Sequence, residues 1–274
     1  MRIGGKTKVM GLFGYPVEHS LSPAMHNAAF AYLDIDCCYV TFLVSPDLLA
    51  DAVQSIRALR LGGVNITVPH KERVIPFLDA VSEEVSFIGA VNTIANNDGF
   101  LKGYNTDGRG FMESLSEAGI SCDQKRILII GAGGACRAVG YYLSQKVEHL
   151  QIFDIDEHKR ERVVKDLVTL RGNVTSLKKL DTLSGVDVLI NATPLGLKDT
   201  DPSPLNISLI PRTITVCDLI YRDTALLRAA SERGCRTLNG LGMLLHQGVL
   251  AFEIWTGVRP PVEIMRKALK AALQ

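Results

Sequence analysis

A lysine and a threonine near residue 70 have the types and the placement that proton transfer on a bound ligand would need. They belong to Asn65-Ile66-Thr67-Val68-Pro69-His70-Lys71, which is predicted as a short apolar strand that ends at a proline and delivers Lys71 just past its carboxyl edge. In open α/β sheets, ligands bind outside the carboxyl ends of the strands, so Thr67 and Lys71 can face a substrate. The alternative is a solvated lysine at the start of a helix, which is the ordinary place for a lysine.

A glycine-rich turn predicts a dinucleotide site in the second half of the chain. Gly131-Ala132-Gly133-Gly134-Ala135 follows four apolar residues and opens a predicted helix. Glycines let the backbone approach a pyrophosphate, whose charge the helix N-terminus stabilises. Cys136 stands in place of the third glycine of the standard fingerprint, which weakens the match to the standard dehydrogenases. A tight turn without a ligand is the alternative interpretation.

Asp154 indicates which nucleotide this site prefers. It ends the next predicted strand, about twenty residues past the glycine-rich turn, where an acid accepts hydrogen bonds from the ribose hydroxyls and repels a 2′-phosphate. The local residues therefore favour NAD. Lys159 and Arg160 lie a turn later and could reach a phosphate, although the solvated face of a helix is the more ordinary interpretation of both.

Five short motifs, in the same order along the chain, resemble the shikimate dehydrogenase family. They are His19-Ser20-Leu21-Ser22-Pro23, Asn65 to Lys71, Gly89-Ala90-Val91-Asn92-Thr93, Tyr104-Asn105-Thr106-Asp107-Gly108, and Asn239 to Gln247. With the glycine-rich turn, the resemblance extends from near residue 10 to the C-terminus.

The resemblance implies an NAD(P)-dependent oxidoreductase that acts on a CH-OH group and reversibly reduces 3-dehydroshikimate to shikimate in the chorismate route to aromatic amino acids. Lys71 and Asp107 are the implied catalytic pair, and the sequence leaves open which of them transfers the proton. Hydroxyl, amide and charged groups of these types suit a small polyol acid. The implied substrate-binding residues are Ser20 and Ser22 for the carboxylate, and Thr67, Lys71, Asn92, Asp107, Tyr221 and Gln247.

The family and the local residues differ on the cofactor. Most members resemble one another in an Asn-Arg-Thr stretch whose arginine binds the NADP phosphate, whereas this chain has Asp154-Ile155-Asp156. Tyr221 and Leu219 match the family less well, because the prolines that often follow them are missing here. The implied cofactor-binding residues are Gly131, Ala132, Gly133, Gly134, Ala135, Asp154, Asn191, Thr193, Leu219 and Gly240.

Two α/β domains are expected to position these residues. Strands and helices alternate up to Asn105, and a second alternation with the Rossmann order of strand, glycine turn and helix begins at Lys125. We predict a substrate-binding catalytic domain over 1-107, a doubly wound dinucleotide-binding domain over 108-243, and helices over 244-274 that return to the first domain. Ser22 is the predicted N-cap of a helix, and further helices are predicted near 71–78 and 82–88.

Composition excludes some classes of partner. The 274 residues carry a formal charge of +1, which gives no broad electrostatic attraction to nucleic acid or to an anionic membrane. No apolar run approaches the roughly 18 residues of a membrane span, so a cytoplasmic protein is expected. The six cysteines lack metal-ligand spacing, so reduced buried thiols and no metal are expected. A homodimer is compatible with the resemblance, and the sequence does not fix the oligomeric state.

Three other functions compete with the one that the motifs favour. An NAD-dependent quinate/shikimate dehydrogenase is supported by Asp154. A catalytically silent dinucleotide-binding regulator is disfavoured by the presence of Lys71 and Asp107. A folate-linked dehydrogenase with a similar layout fits the Ser20 and Ser22 motif less well.

Overall fold

The protein, described here by a computed structural model over residues 3–273, divides into two compact units. The first unit comprises Met1–Thr106 with Leu245–Gln274, and the second comprises Asp107–Leu244. Both are built from helices and strands, which confirms the predicted α/β class. The assignment of substrate binding to 1-107 with 244-274, and of dinucleotide binding to 108-243, stays a prediction at this point.

The first unit contains a six-stranded mixed sheet in the order β2-β1-β3-β5-β6-β4. Strand β1 is parallel to β2 and β3, while β5 is antiparallel to β3 and β6, and β4 is parallel to β6. The carboxyl ends of β1, β3 and β6 therefore share one edge with the amino end of β5. The strands are β1 (Lys8–Gly14), β2 (Cys37–Leu43), β3 (Gly63–Ile66), β4 (Ala80–Val81), β5 (Thr93–Asn97) and β6 (Phe100–Tyr104).

Helices cover this sheet and enclose an apolar core. Val53 and Ile56 of one helix pack with Val64 and Ile66 of β3 and with Ile94 of β5, all at most 1% exposed. The helices are α1 (Ser22–Tyr32), α2 (Leu49–Ala58), α3 (Glu83–Ile88), α8 (Leu241–Thr256, which begins in the second unit) and α9 (Val262–Ala271), with short 3₁₀ turns at Pro46–Leu48 and Ile75–Phe77.

Three local predictions in this unit are wrong. The strand before Lys71 ends at Ile66, and the helix predicted near 71–78 is a series of turns with a 3₁₀ turn at Ile75–Phe77. Pro76 explains the second difference, because it lacks the N–H that an α-helix over this segment would need. Ser22 is the first helical residue of α1 rather than its N-cap, which is Leu21, and no side chain caps the helix.

The second unit is a six-stranded parallel sheet in the order β12-β11-β10-β7-β8-β9, which is the order of doubly wound dinucleotide-binding domains. The order reverses between β7 and β10, where such domains bind ligands. The strands are β7 (Arg126–Ile130), β8 (His149–Phe153), β9 (Val174–Ser176), β10 (Val188–Asn191), β11 (Thr215–Asp218) and β12 (Arg236–Leu238). The helices are α4 (Asp107–Glu117), α5 (Gly134–Leu143), α6 (Glu157–Arg171) and α7 (Ala225–Glu232), with a 3₁₀ turn at Ile207–Leu209.

Some features of the described chain bear on its chemistry. All six cysteines are buried and free. Over residues 3–273, no helix combines the length and apolar character that crossing a membrane requires. Within the same residues, no group of His, Cys, Asp and Glu side chains is arranged to hold a metal ion.

An imidazole lies in the core of the first unit. His26 of α1 is fully buried, and its ring stacks on Tyr39 at 4.5 Å and 11° and lies parallel to Phe252 at 6.3 Å. Neither ring nitrogen has a hydrogen-bond partner among the described residues. Burial lowers the pKa of His26 to about 3, so the folded protein keeps this ring neutral.

Replacing His26 with phenylalanine is expected to make the protein less sensitive to acid. The unfolded imidazole protonates near pH 6.5, while the folded one stays neutral down to a pKa of about 3. Between these values the unfolded chain binds the extra proton, so the free energy of unfolding falls as the pH drops through that window. By about pH 5 the loss amounts to about 2 kcal/mol, since one pKa unit corresponds to ~1.4 kcal/mol.

Denaturant unfolding followed by circular dichroism near pH 7 and near pH 5 measures this loss. His26→Phe should lose less stability than the wild type, and Tyr32→Phe, on the exposed surface of the same helix, should lose as much as the wild type. Equal losses in the wild type and in His26→Phe would contradict the assignment.

Candidate active site

The loops after β1 and β3 are joined at the shared edge of the first sheet. The amide of Tyr15 donates to the carbonyl of Val68 at 3.0 Å, and the amide of Thr67 donates to Phe13 at 2.9 Å. Gly14 packs so closely that an added Cβ would collide with the Thr67 methyl group. The chain segment that leads to Ser20 is therefore fixed against the segment that carries Thr67.

The Lys71 backbone is held by a compact turn. The amide of His70 donates to Thr67 at 2.9 Å, and the buried His70 ring places Nε2 2.8 Å from the carbonyl of Val44, so Nε2 carries the proton. The Lys71 carbonyl accepts from the amide of Val91 at 2.8 Å. This last bond places Lys71, which is partly exposed, beside the segment that carries Asn92.

Asn92 connects the start of β5 to the segment that follows β6. Its Nδ2 donates to Thr106 Oγ1 at 2.8 Å, and its Oδ1 accepts from the Thr106 amide at 2.9 Å. The side chain is 2% exposed. Thr106 immediately precedes Asp107, the first residue of α4. Asn92 therefore fixes the chain just before the second member of the predicted catalytic pair.

Ser20 and Ser22 lie where α1 begins. The Ser22 amide donates to Ser20 Oγ at 3.3 Å, which orders the turn between them. Ser20 is partly exposed, while Ser22 is 8% exposed. Burial raises the pKa of Tyr39 on β2, and the nearby Ser22 side chain acts in the opposite direction with a smaller effect.

Gln247 lies on α8 beside a close contact with α1. A Cβ at the next residue, Gly248, would stand 3.2 Å from Met25 Sδ and 3.5 Å from His26 Nε2. Glycine at 248 therefore lets α8 approach the helix that Ser22 begins. Gln247 itself is partly exposed.

The sequence prediction missed two residues that organise this edge. Asn65 is 5% exposed, and its Nδ2 donates to the Asn92 carbonyl at 3.1 Å and to Thr93 Oγ1 at 3.0 Å. Its Oδ1 accepts from the Tyr39 hydroxyl at 2.8 Å. A signal for Asn65 was available, since a polar residue inside the apolar segment Gly63–Ile66 needs partners. Tyr39 had no such signal, because tyrosine is ordinary in a strand.

In the second unit, the glycine-rich turn fits a pyrophosphate. Gly131 has φ +101°, and a Cβ there would stand 2.9 Å from the carbonyl carbon and oxygen of Ala192. At Gly133 and Gly134, an added Cβ would meet nothing within 4 Å. Gly133 is the N-cap of α5, which no side chain caps. Open space in front of N-terminal helix amides is the arrangement that binds phosphate groups.

The carboxylate of Asp154 binds the backbone of this turn. Its Oδ2 accepts from the Ala132 amide at 2.6 Å, and its Oδ1 accepts from the Asp156 amide at 2.8 Å. The nearby Lys159 Nζ lies 3.3 Å from Asp156 Oδ2. Asp154 is therefore held beside the glycine-rich turn. The sequence analysis predicts that it accepts hydrogen bonds from the ribose hydroxyls of a dinucleotide at this turn.

The interpretation of Arg160 as part of a solvated helix face is wrong. Arg160 is 4% exposed and donates to Ser176 Oγ at 2.7 Å and to the Asp154 carbonyl at 3.2 Å. Its guanidinium also pairs with Glu157 and Glu161 at 3.1 and 3.3 Å. Four acceptors thus bind the Arg160 guanidinium, which the sequence analysis considered as a partner for the 2′-phosphate of NADP.

Asn191 organises the loop on the other side of the strand-order reversal. Its Nδ2 donates to the Leu195 carbonyl at 3.2 Å and to Asp218 Oδ1 at 3.1 Å. Its Oδ1 accepts from the amide and the hydroxyl of Thr193 at 3.0 and 2.7 Å. All four hydrogen-bonding positions of the carboxamide are used within the protein. Asn191 therefore shapes this loop through its side chain, and direct contact with the dinucleotide stays a prediction.

Asp218, in the second unit, is a third residue that the sequence prediction missed. It is 1% exposed and also accepts from the Ile220 amide at 3.0 Å and from the Thr224 hydroxyl at 2.8 Å. Burial raises the pKa of Asp218, and the hydrogen bonds from Ile220, Asn191 and Thr224 act in the opposite direction. These bonds fix the segment after β11, which carries Leu219 and Tyr221.

Leu219 and Gly240 are joined through backbone contacts. The Leu219 amide donates to the Asn191 carbonyl at 3.0 Å, and the Gly240 amide donates to Ile220 at 2.9 Å. A Cβ at Gly240 would collide with the Leu219 carbonyl oxygen, so only glycine fits there. Tyr221 lies farther along the same loop and is 36% exposed.

The predicted residues are thus distributed between the two units. Asp107 and Tyr221 belong to the second unit, and the other predicted substrate residues belong to the first. All the predicted cofactor residues lie in the second unit. Their assignments to individual ligand atoms stay predictions.

Comparison with known proteins gives one consistent family. Residues 12–94 match the family model described as shikimate dehydrogenase substrate binding domain, and residues 240–270 match shikimate 5′-dehydrogenase C-terminal domain. A relative from Desulforamulus reducens, named shikimate dehydrogenase (NADP(+)), is 48% identical, with 98% of this chain and 96% of the relative covered.

Solved structures are similar over the whole chain. A shikimate dehydrogenase crystallised in complex with NADP+ has a TM-score of 0.94 and 39% identity, covering 100% of this chain and 98% of that one. A shikimate 5-dehydrogenase from Listeria monocytogenes, in complex with shikimate and NAD, has a TM-score of 0.90 and 36% identity, covering 98% of both chains.

Replacing Gly131 with alanine is expected to weaken dinucleotide binding about tenfold or more. The added Cβ would be 2.9 Å from the Ala192 carbonyl and 3.0 Å from the Thr193 amide, so the turn must move away from the Asn191 loop. A loss of ~1.4 kcal/mol in binding free energy is tenfold in Kd, which isothermal titration calorimetry measures.

Gly172→Ala is the matched control. Gly172 also has positive φ, +75°, but lies at the end of α6 with nothing within 4 Å of an added Cβ. It should lower stability and leave nucleotide affinity unchanged. Similar affinities of the Gly131→Ala variant and the wild type would show that the turn does not hold the dinucleotide.

Proposed function

The chain belongs to the shikimate dehydrogenase family, and we propose that it catalyses the reversible NAD(P)-linked reduction of 3-dehydroshikimate to shikimate. The observation that carries the proposal is the shared edge of the first sheet, where the segments with Ser20, Ser22, Thr67, Lys71 and Asn92 are hydrogen-bonded to one another or to common partners. The second unit adds a glycine-rich turn that fits a pyrophosphate.

The polar groups of the first unit suit a small hydroxylated acid. The hydroxyls of Ser20 and Ser22 supply donors for a carboxylate without burying a full positive charge. Thr67, Asn92 and Gln247 supply donors and acceptors for ring hydroxyls. These residues bind and orient the acid in the proposal.

Lys71 and Asp107 are the proposed catalytic pair. A bound nicotinamide supplies the hydride in the reductive direction and accepts it in the oxidative direction. In the proposal, Lys71 serves as the acid that protonates the ketone oxygen in the reductive direction. In the proposal, Asp107 is the group that shares a hydrogen bond with the reacting oxygen.

The competing functions have less support. Relatives and solved structures named for shikimate favour this reaction over the NAD-dependent quinate/shikimate alternative. In a catalytically silent regulator, Lys71 would have no catalytic role. The hydrogen bonds of His70 and Val91, which fix the turn that carries Lys71, would then serve no reaction. Aromatic amino acid biosynthesis is the corresponding pathway in the proposal.

For the cofactor, we propose that this chain uses NAD more efficiently than NADP. Asp154 lies beside the glycine-rich turn, where it can accept hydrogen bonds from ribose hydroxyls and repels a 2′-phosphate. The nearest cations support this preference, because Lys159 is paired with Asp156 and Arg160 with two glutamates. The relative from Desulforamulus reducens is named for NADP+, so the proposed preference differs from that name.

The remaining parts of the proposal concern location and assembly. Six buried free thiols suit a reducing compartment, which supports a cytoplasmic location. The proposed ligands are small molecules, the acid and the dinucleotide. A homodimer stays a prediction from the resemblance.

Initial rates with shikimate and with quinate, each with NAD and with NADP, test the function directly. We expect shikimate to be the better substrate and Lys71→Ala to lower kcat about 10²- to 10⁴-fold, the usual effect of losing a general acid or base. Dinucleotide affinity should be unchanged, because Lys71 lies outside the glycine-rich turn. Arg73→Ala, which removes an exposed cation two residues away, should keep wild-type rates. Near-wild-type turnover by Lys71→Ala would refute the catalytic assignment.

Replacing Asp154 with asparagine is expected to raise the ratio of kcat/KM for NADP to that for NAD about tenfold. The amide keeps an acceptor for Ala132 but removes the negative charge, and tenfold corresponds to ~1.4 kcal/mol of relieved repulsion. Asp181→Asn is the control, since it removes an exposed carboxylate that pairs with Lys179 and has no part in the proposed cofactor site. An unchanged ratio in Asp154→Asn would assign cofactor choice to other residues.

A further inference from the structure

Ile155 is the most exposed of the large apolar side chains that the structure describes. Its exposed fraction is 94%, and the next highest value is 71%, for Ile3. By contrast, the partly exposed Trp255 is anchored, since its Nε1 donates to the Ile94 carbonyl at 2.9 Å. Ile155 therefore adds little to the stability of the free chain, and its apolar surface gains free energy only when a ligand covers it.

The backbone on both sides of Ile155 is fixed. Before it, the Asp154 carbonyl accepts from Arg160 Nη1 at 3.2 Å. After it, the Asp156 amide donates to Asp154 Oδ1 at 2.8 Å, and the Asp156 side chain accepts from the Lys159 amide at 3.1 Å. Ile155 therefore projects from a turn of fixed shape, which a ligand can bind at little cost in conformational entropy.

The protein groups that lead to Ile155 follow the order of the groups in a dinucleotide. Open space lies in front of Gly133 and Gly134, where the helix N-terminus suits a pyrophosphate. The Ala132 amide holds the Asp154 carboxylate at this turn, and each carboxylate oxygen has a further lone pair for a ribose hydroxyl. In a nucleotide, the carbon that carries the base is bonded directly to the carbon that carries the 2′-hydroxyl. A carboxylate that binds the ribose therefore brings the base close to Ile155.

The charges around Ile155 disfavour an anion as its partner. Asp154, Asp156 and Glu157 are its neighbours in sequence, and the Lys159 ammonium is already paired with Asp156 at 3.3 Å. A phosphate or carboxylate group would be repelled by these like charges. A flat, uncharged purine is not repelled and presents an apolar face to the isoleucine.

We propose that Ile155 forms the apolar surface on which the adenine ring of the dinucleotide packs. The side chain contacts one face of the ring, and the contact removes apolar surface of both from water. Ile155 acts on the base, whereas Asp154 acts on the ribose and the glycine-rich turn acts on the pyrophosphate. The inference rests on the proposed function, since it concerns the cofactor of the same reaction.

Isothermal titration calorimetry with NAD and with ADP-ribose tests the proposal. Ile155→Ser should raise Kd about fivefold, the effect of losing part of the burial of one isoleucine side chain. The increase should be the same for both ligands, because ADP-ribose contains the adenine and lacks the nicotinamide. The heat-capacity change on binding should become less negative, because less apolar surface is buried. At saturating NAD, kcat with shikimate should stay within about twofold, since the base takes no part in hydride transfer.

Two further variants serve as controls. Val168→Ser removes another exposed apolar side chain, near the other end of α6, and should leave the Kd of both ligands unchanged. Ile155→Val keeps a branched apolar side chain and should keep Kd within about twofold of the wild-type value. Ile155→Ser should fold with wild-type stability, because the side chain that it removes is almost fully exposed.

The outcomes separate this proposal from the proposed function. An unchanged Kd for NAD and ADP-ribose in Ile155→Ser would overturn the contact with adenine, while wild-type turnover of shikimate stands. A higher Kd for NAD alone, or a higher Kd for both ligands with an unchanged heat-capacity change, would also overturn it, because neither result fits the loss of an apolar contact with the base. Absence of NAD binding by the wild type would instead refute the proposed cofactor.

Discussion

The arrangement of the first unit depends on satisfying one buried carboxamide. Asn65 lies inside a strand whose residues are all buried, and a polar group without partners there would cost about 1–3 kcal/mol for each lost bond. Its bonds to Asn92, Thr93 and Tyr39 meet that requirement. In doing so they join β3, β5 and β2 at the edge where the predicted substrate residues gather. The same groups that make the strand stable therefore determine where the polar side chains lie.

The second unit uses a carboxamide in the same way at the end of a different strand. Asn191 closes the loop after β10 with four hydrogen bonds and shares Asp218 with the segment after β11. Asp218 is thereby supplied with donors although burial opposes its charge. In each unit, an asparagine near the carboxyl end of a strand fixes the shape of a loop. Both asparagines are themselves buried. Loops fixed in this way need little reordering when a ligand binds, which lowers the entropic cost of binding.

Local patterns in the sequence were sufficient for much of the fold. The alternation of strands and helices predicted two α/β units, and the placement of the glycine-rich turn between strand and helix identified the doubly wound one. The wrong and missed predictions concern side chains whose hydrogen-bond partners are distant in sequence. Arg160 was interpreted as solvated because its helix looks polar, yet Ser176 and the Asp154 carbonyl hold it in a buried position. Tyr39 and Asn65 are 26 positions apart, so no local pattern could show that they bond.

The bond from Trp255 to the Ile94 carbonyl has a consequence for following the protein in solution. Trp255 is the only tryptophan of the chain, and it lies in the first unit. Its indole is 5.4 Å from the His26 ring and is hydrogen-bonded to β5. Intrinsic indole fluorescence therefore reports on the first unit alone, whereas the seven tyrosines are spread over both units. The molecule thus carries a built-in optical probe that separates melting of one unit from melting of the other without any label.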